Sequence, residues 1–426
     1  MLLLILVIML EQLGGHLYHC VLSHSAAFGL LFIIALLTVL YCYNNVWQFV
    51  GNGKVRYVKP VDNLRCQSKV IDSKNHIRAS TWKLNDTLFK DIKTVRDLTE
   101  YVVKKHSSNP CFGMRPNFES SPTWNTYEEM GKTVEAVGSA ISQWFDSPQE
   151  EHFVGLYGRN SPEWFSTELA CGSYGMIAVP LYDTLGQEAL VHILKQTGLH
   201  IVLCDTVART RQLLTLIQDQ LTHIIVVNKN DPEWESLKES TKGSVELFTF
   251  DQLVTIGQKN PLPANNPKLD DTFLVCYTSG STGLPKGVVH THGTFVHAVS
   301  LAQPVVDMED YGQTKHRHVS YLPLSHIMEQ MVISVMLVNG YQVAFLTTDI
   351  SRLLTDLSYY RPTIFVAVPR ILSRMYTDTI RGIGGAAWIT WLFNFAIQKR
   401  LNEQKSLNEV GSLKFSQLSC IPITDM

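Results

Sequence analysis

The chain has 426 residues with a net charge of −2, from 36 Lys and Arg against 38 Asp and Glu, and 45% of its residues are hydrophobic. This length can hold two or three average domains, so the core can support an enzyme. The balanced charge argues against a general polyanion-binding surface, and we expect no nucleic-acid partner. The apolar content excludes a disordered chain, and the eight cysteines form no C-x-x-C pair, which predicts reduced, cytosolic thiols.

The first 90 residues are predicted to hold a membrane anchor and a linker. Residues 1–24 begin with an apolar stretch of ten residues, which is too short to span a bilayer. Residues 25–43 carry no charge and have the length of a transmembrane helix, which we favour over a cleaved secretory signal because no basic segment precedes them. Residues 44–90 are a polar linker. The basic residues that follow the anchor place the later chain in the cytosol, at the endoplasmic reticulum or, as the alternative, the mitochondrial outer membrane: Lys54, Arg56 and Lys59.

Beyond the linker, helical and strand patterns alternate. Thr126 and Glu129 form a capping box that begins one helix, and Ser161 before Pro162 begins another. A third helix is expected to open at Thr184 and Gln187 and to close at Gly198. Strands are expected at residues 153–157, 176–181, 201–204, 224–227, 273–276, 319–322, 342–346 and 363–368. Apolar strands alternating with helices predict an α/β fold with a parallel sheet covered on both faces.

A hydroxyl- and glycine-rich loop, YTSGSTGLPKG at residues 277–287, follows the strand pattern at 273–276. Such a loop brings backbone N–H groups, hydroxyls and one ammonium group together, which favours a phosphate ligand and predicts ATP binding. It is not a Walker A loop, because Pro285 stands before Lys286 and no Ser or Thr follows the lysine. Flexible linkers share this composition, but the buried type of strand before the loop favours ligand binding.

The loop and five further segments resemble the long-chain acyl-CoA synthetases of the adenylate-forming superfamily. The segments are GRNSPEW (158–164), ELAC (168–171), VPLYDTLG (179–186), YLPLSH (321–326) and VPRIL (368–372), and the resemblance covers residues 124–401. It implies an AMP-binding adenylation domain over residues 91–426, with mostly parallel sheets covered by helices. It also implies an enzyme that uses ATP and Mg²⁺ to convert a long-chain fatty acid into an acyl adenylate, and then transfers the acyl group to coenzyme A.

The resemblance implies site residues as well. Lys286 would act in catalysis by neutralising the pyrophosphate, and His326 would lie near the acyl-adenylate pocket, although its position alone fits a structural histidine equally well. Thr278 is the candidate Mg²⁺ contact. The implied phosphate-binding residues are Thr278, Ser279, Gly280, Ser281, Thr282, Gly283, Pro285, Lys286 and Gly287. The residues that either line an acyl tunnel or pack under the loop are His290, His292 and Phe295.

Several motifs of the family are expected beyond the region that matches residue 401. YGQT at residues 311–314 matches the family's adenine motif in letters, but it precedes the YLPLSH segment and Lys315 replaces the following glutamate. The run KHRH at residues 315–318 is expected to be a solvated turn. The family's small C-terminal domain is not found in this sequence, so we interpret the chain as an incomplete form of the ligase. The alternative is a non-catalytic, membrane-anchored isoform that binds fatty acid or partners the intact enzyme.

Overall fold

The computed structural model describes residues 68–72, 74, 77–80, 89–145, 151–183, 185–228, 231–278, 283–306, 316–382, 391, 393–395 and 398. They fall into two units, with residues 68–382 in one and residues 391, 393–395 and 398 in the other. In the second unit the exposed rings of Trp391 and Phe395 stack with centroids 5.6 Å apart. The predicted anchor at residues 25–43 lies outside the described residues. Of the helices that the structure describes, none has the length and apolarity to cross a membrane.

The larger unit contains all the named strands and helices. The strands are β1 (Ser68–Asp72), β2 (Ile77–Ser80), β3 (Pro110–Met114), β4 (Thr123–Thr126), β5 (Phe153–Tyr157), β6 (Ile177–Leu181), β7 (Ile201–Cys204), β8 (His223–Val226), β9 (Glu246–Thr249), β10 (Thr272–Thr278), β11 (Lys286–Thr291), β12 (Arg317–Ser320) and β13 (Gln342–Phe345). The helices are α1 (Val95–His106), α2 (Tyr127–Ser142), α3 (Pro162–Tyr174), α4 (Gln187–Thr197), α5 (Val207–Ile217), α6 (Trp234–Ser240), α7 (Phe250–Lys259), α8 (His292–Val306), α9 (Ile327–Val338), α10 (Leu353–Tyr360) and α11 (Pro369–Gly382).

The main sheet has seven strands in the order β11-β10-β6-β5-β7-β8-β9, and all of them are parallel except the edge strand β11. Successive side chains point to opposite faces, so Leu156 joins one buried cluster and Tyr157 the other. Helices α1, α2, α3 and α7 supply the first cluster, and α4, α5 and α6 supply the second. The predicted parallel sheet, covered on both faces, is confirmed.

The predicted helix starts are confirmed in two cases out of three. Thr126 caps α2 with the reciprocal capping box to Glu129, and Ser161 caps α3 with proline in the first turn. Helix α4 instead begins after Gly186, which makes no side-chain cap, and Thr184 lies outside the described residues. Its predicted end at Gly198 is confirmed, because that residue has a left-handed φ of 63°.

A second sheet has the order β12-β13-β3-β4, in which only β4 runs antiparallel. The predicted solvated turn at residues 315–318 is wrong, because Arg317 begins β12 and the His318 side chain is fully buried. Burial is possible because His318 Nε2 lies 3.2 Å from Glu329 Oε1 on α9. The strand predicted at residues 363–368 is reduced to one bridge, between Ile364 and His318. A two-stranded antiparallel sheet, β1-β2, precedes both larger sheets in the chain.

Candidate active site

The phosphate loop lies at the tip of a hairpin formed by β10 and β11. The antiparallel register pairs Thr278 with Lys286 and Tyr277 with Gly287. Directly opposed residues of such a pair point to the same side of the sheet, so the hydroxyl of Thr278 and the ammonium of Lys286 project together. Both side chains are exposed. Four of the other predicted members of the loop lie outside the described residues: Ser279, Gly280, Ser281 and Thr282. Pro285 is described and half-buried.

The returning arm of the hairpin depends on two glycines. Gly283 has a φ of 145°, a conformation that side chains with a Cβ rarely adopt, and open space surrounds it. At Gly287 a Cβ would lie 2.9 Å from Val275 Cγ1 and 3.2 Å from Tyr277 Cζ. The Tyr277 hydroxyl donates to Gln196 Oε1 on α4 at 3.0 Å. Glycine at position 287 therefore leaves room for the tyrosine that fixes the hairpin to the sheet's helical layer.

His326 lies on a different element, as the N-cap of α9. Its Nδ1 accepts a hydrogen bond from the backbone N–H of Met328 at 3.2 Å. A ring nitrogen that accepts is unprotonated, so the neutral ring carries its hydrogen on Nε2. The side chain is exposed. His326 therefore presents an N–H donor to solvent at the positive end of a helix, which suits a negatively charged ligand.

Asn160 joins the two sheets, and the sequence analysis assigned it no role. It follows β5, and its Nδ2 donates to Ser320 Oγ at 2.8 Å and to the Leu322 carbonyl at 2.7 Å. Its Oδ1 accepts from the Leu324 N–H at 2.9 Å. All three partners belong to the strand and loop that lead to His326. The signal available in the sequence was an asparagine three residues after the end of a buried parallel strand, where site residues collect in α/β folds.

A charged cluster holds other motif segments at the same edge of the main sheet. Arg209 on α5 pairs with Asp205, which follows β7, and lies 3.6 Å from Asp183, which follows β6. Arg159, after β5, lies 3.5 Å from Asp205. The carboxyl ends of these parallel strands therefore meet through ion pairs. The sequence analysis also missed this cluster, because Arg159 and Asp183 lie more than 20 positions away from Asp205 and Arg209 in the chain.

The residues after the loop pack in the core. His292 and Phe295 are 1% and 3% exposed, and both rings lie against Phe273, with centroids 5.4 and 5.1 Å away. His292 Nδ1 accepts from the Val95 N–H at 3.2 Å, and burial lowers its pKa to about 4. His290, on β11, is half-buried. For His292 and Phe295 the structure thus favours packing over an acyl tunnel.

The described residues fit a polyphosphate bound with Mg²⁺. The Lys286 ammonium supplies positive charge, and the Thr278 hydroxyl supplies one oxygen ligand. Mg²⁺ in nucleotide sites takes one or two protein ligands, with phosphate and water oxygens completing its shell. In the described part of the chain, no group of three His, Cys, Asp or Glu side chains is placed to hold a metal. A Mg²⁺ ion here would therefore depend on the phosphates themselves.

Sequence comparison places these features in a family. A match to the family described as AMP-binding enzyme covers residues 100–416. Long-chain-fatty-acid–CoA ligase 1 of Cavia porcellus is 32% identical over 356 residues, which are 82% of this chain and 51% of that ligase. The peroxisomal long chain acyl-CoA synthetase 7 of Arabidopsis thaliana is 33% identical over 303 residues, 69% of this chain and 42% of the synthetase. The chain spans about half the length of the curated relatives it matches.

Solved structures share the fold. The A-PCP didomain of a carboxylic acid reductase from Segniliparus rugosus, in complex with AMP, aligns with a TM-score of 0.61 at 20% identity, over 74% of this chain and 48% of that one. The adenylation domain of a carboxylate reductase from Mycobacterium chelonae gives 0.58 at 18% identity, over 70% and 50%. At these identities the likeness shows an adenylate-forming α/β fold. Together with the family match, it shows that the chain belongs to the AMP-binding enzymes.

Proposed function

We propose that this chain provides the phosphate-binding part of a long-chain fatty acid–CoA ligase, which activates a fatty acid with ATP and then forms acyl-CoA. The observation that carries the proposal is the register of the hairpin, which sets the Thr278 hydroxyl and the Lys286 ammonium together where the loop begins and ends. The names of the relatives supply the substrate class. The predicted cofactor Mg²⁺ and the co-substrate coenzyme A belong to the same proposal.

Lys286 is proposed to act on the leaving group. When a fatty carboxylate attacks the α-phosphorus of ATP, negative charge collects on the departing pyrophosphate. An ammonium fixed at that point stabilises the transition state more than the ground state, which lowers the barrier. Thr278 is proposed as the metal contact, and the neighbouring loop residues as donors to the phosphate oxygens. The exposed Lys286 makes little contribution to folding.

His326 is proposed to orient the carboxyl end of the substrate. Its Nδ1 is engaged by the Met328 N–H, so only Nε2–H is free to donate. A single donor at a helix N-terminus favours an oxygen of the carboxylate or of the acyl adenylate. Replacing His326 by Asn would keep a helix cap, since Asn is a favoured N-cap residue, while removing the ring donor. This substitution separates the proposed catalytic role from the structural one.

The test is pyrophosphate release by the complete polypeptide in the presence of palmitate, ATP and Mg²⁺. Lys286→Ala is expected to reduce the rate on the order of 100-fold or more, as the loss of one charge-stabilising group does in other enzymes, with unfolding by urea unchanged. Lys268→Ala is the matched control, because Lys268 is also exposed and precedes the same hairpin. Equal rates for the two variants would refute the role of the loop. Release without thioester on adding coenzyme A would limit the activity to adenylation.

The non-catalytic alternative and the membrane anchor need separate tests. A fatty-acid binder without ligase activity would retain labelled palmitate yet release no pyrophosphate under any of these conditions. Membrane attachment through residues 25–43 predicts that the protein stays in the pellet after alkaline carbonate extraction. Deletion of those residues should release it, and retention of the deleted protein would contradict the anchor.

A further inference from the structure

His318 and Glu329 form a buried pair between β12 and α9. Both side chains are 0% exposed, and His318 Nε2 lies 3.2 Å from Glu329 Oε1. The second carboxyl oxygen of Glu329, Oε2, is buried and has no hydrogen-bond partner within the described residues. A buried carboxyl group depends on the partners it has, so His318 is the contact that makes the burial of Glu329 possible. No step of the proposed ligase reaction uses either side chain.

The ring of His318 faces an acceptor at each nitrogen. Nδ1 lies 3.4 Å from the carbonyl oxygen of Ile364, the residue that forms an isolated β-bridge with His318. A carbonyl oxygen can only accept, so Nδ1 must carry a hydrogen. The contact between Nε2 and Glu329 Oε1 needs a second hydrogen, either on the nitrogen or on the carboxyl oxygen. The pair therefore holds two hydrogens and has no net charge in either case.

Glu329 also belongs to the helical turn that His326 begins. It is the third residue of α9, and its backbone N–H donates to the His326 carbonyl oxygen at 3.1 Å. On the solvent side the same turn is closed by His326 Nδ1, which accepts from the Met328 N–H. One side of the turn is thus exposed to a ligand, and the other is fixed in the core by the Glu329 side chain.

We propose that Glu329 and His318 are positioning residues that set where His326 presents its Nε2–H donor. The pair joins the first turn of α9 to β12, so the start of the helix cannot rotate without breaking a contact between two fully buried side chains. Tyr321, in the loop that joins the two elements, donates its hydroxyl to the Val366 carbonyl at 2.8 Å, so the loop is fixed as well. The positioning role rests on the proposed function of His326, whereas the two hydrogens of the pair do not.

The kinetic test uses pyrophosphate release by the complete polypeptide with palmitate, ATP and Mg²⁺. Glu329→Leu removes both carboxyl oxygens, and it should lower kcat/KM for palmitate about tenfold while the KM for ATP stays unchanged. Glu329→Gln still offers a carbonyl oxygen to His318 Nε2, so it should restore most of the rate. In the His326→Asn background, Glu329→Leu should lower the rate no further, because it acts through His326. An equal fractional loss in both backgrounds would refute the positioning role. The matched control is Glu188→Leu, which replaces an exposed glutamate in the first turn of α4 and should leave the rate unchanged.

Histidine NMR of the intact, isotope-labelled chain gives a readout that needs no activity. In the wild type, His318 Nδ1 should carry a hydrogen, and an unprotonated Nδ1 at neutral pH would refute the two-hydrogen pair. Glu329→Leu should shift the ring signals of His326, whereas Glu188→Leu should not. The signals of each histidine are identified by their loss in His318→Asn and His326→Asn. Unshifted His326 signals would overturn the positioning role whether or not the protein is a ligase. If Glu329→Leu does not fold, His318→Asn replaces it, and the same shift is expected because asparagine is too short to reach Glu329.

Discussion

Replacing Asn160 by Ala tests whether the two sheets are held together by a single polar side chain. Asn160 makes three hydrogen bonds, to Ser320 Oγ, the Leu322 carbonyl and the Leu324 N–H, at 2.7 to 2.9 Å. All three partners lie in β12 and the loop that ends at His326. Alanine at position 160 removes the bonds without introducing a larger group, so the expected result is a loss of stability and a displaced loop.

The size of the stability loss depends on the buried polar groups that lose their hydrogen-bond partner. A typical hydrogen bond contributes about 1 kcal/mol net, and a buried group left without a partner costs about 1 to 3 kcal/mol. The backbone groups of Leu322 and Leu324 lose their partner, and both residues are at least nine-tenths buried. Ser320 can keep part of its bonding by rotating its hydroxyl. We therefore expect Asn160→Ala to lower the free energy of unfolding by about 3 kcal/mol.

Urea unfolding, monitored by tryptophan fluorescence, measures this change, with Ser320→Ala as the matched variant. Ser320→Ala removes only one of the three bonds, so its cost should be about 1 kcal/mol. The double variant should cost less than the sum, because both changes remove the Asn160 to Ser320 bond. A loss below about 1 kcal/mol for Asn160→Ala would show that the loop holds its position without Asn160, and would refute the reasoning.

Further predictions concern four single positions. Thr126→Ala should cost about 1 kcal/mol because it removes the capping box of α2, and urea unfolding measures it. Gly257→Ala should lower the free energy of unfolding by about 3 kcal/mol, since the new Cβ would lie 1.8 Å from the Ala136 carbonyl oxygen. Gly186→Ser places a favoured N-cap residue where there is open space, so it should leave the stability unchanged or raise it slightly. His292 should lower the free energy of unfolding by about 3 kcal/mol as the pH falls from 6.5 to 4. The reason is that the pKa of this histidine is 6.5 in the unfolded state and about 4 in the folded state, so the unfolded state takes up the proton first. His292→Asn, which keeps an acceptor for the Val95 N–H, should remove most of this loss, and an unchanged pH profile would contradict the assignment.

The parallel sheet was predictable because its signals are local. Ile201–Cys204 and Phe153–Tyr157 are short apolar runs between helix caps and glycines, and the observed strands have the predicted bounds. The error at residues 315–318 has a non-local cause. Histidine and arginine in one short segment suggest a solvated turn, but Glu329 on the next helix, α9, lies 3.2 Å from His318 in the core. A contact between side chains of two elements cannot be read from one segment, so the start of β12 was missed.

The residues of the candidate site also fall into two groups, those predictable from the local sequence and those that depend on contacts between distant parts of the chain. The loop motif and Lys286 were visible in the sequence because glycine, hydroxyl and lysine residues follow one another directly. Asn160 was quoted only as a letter of a family motif, since it has no chemical partner nearby in the chain. Its partners lie more than 100 positions away, at Ser320, Leu322 and Leu324. Residues that position a site through long-range contacts leave no periodic or motif signal of their own.

Helix α3 and the turn before it link the proposed catalytic residues. Asn160, immediately before the Ser161 cap, holds the loop that leads to His326. Gly172, near the end of the helix, lies so close to the strand that leads to the phosphate loop that a Cβ there would be 2.9 Å from Phe273. A buried helix has few ways to move without breaking these contacts, because protein cores are close-packed. A shift of α3 would therefore displace both elements together. It follows that substitutions inside α3 should change nucleotide binding and substrate orientation in concert, although no residue of the helix is proposed to contact either ligand.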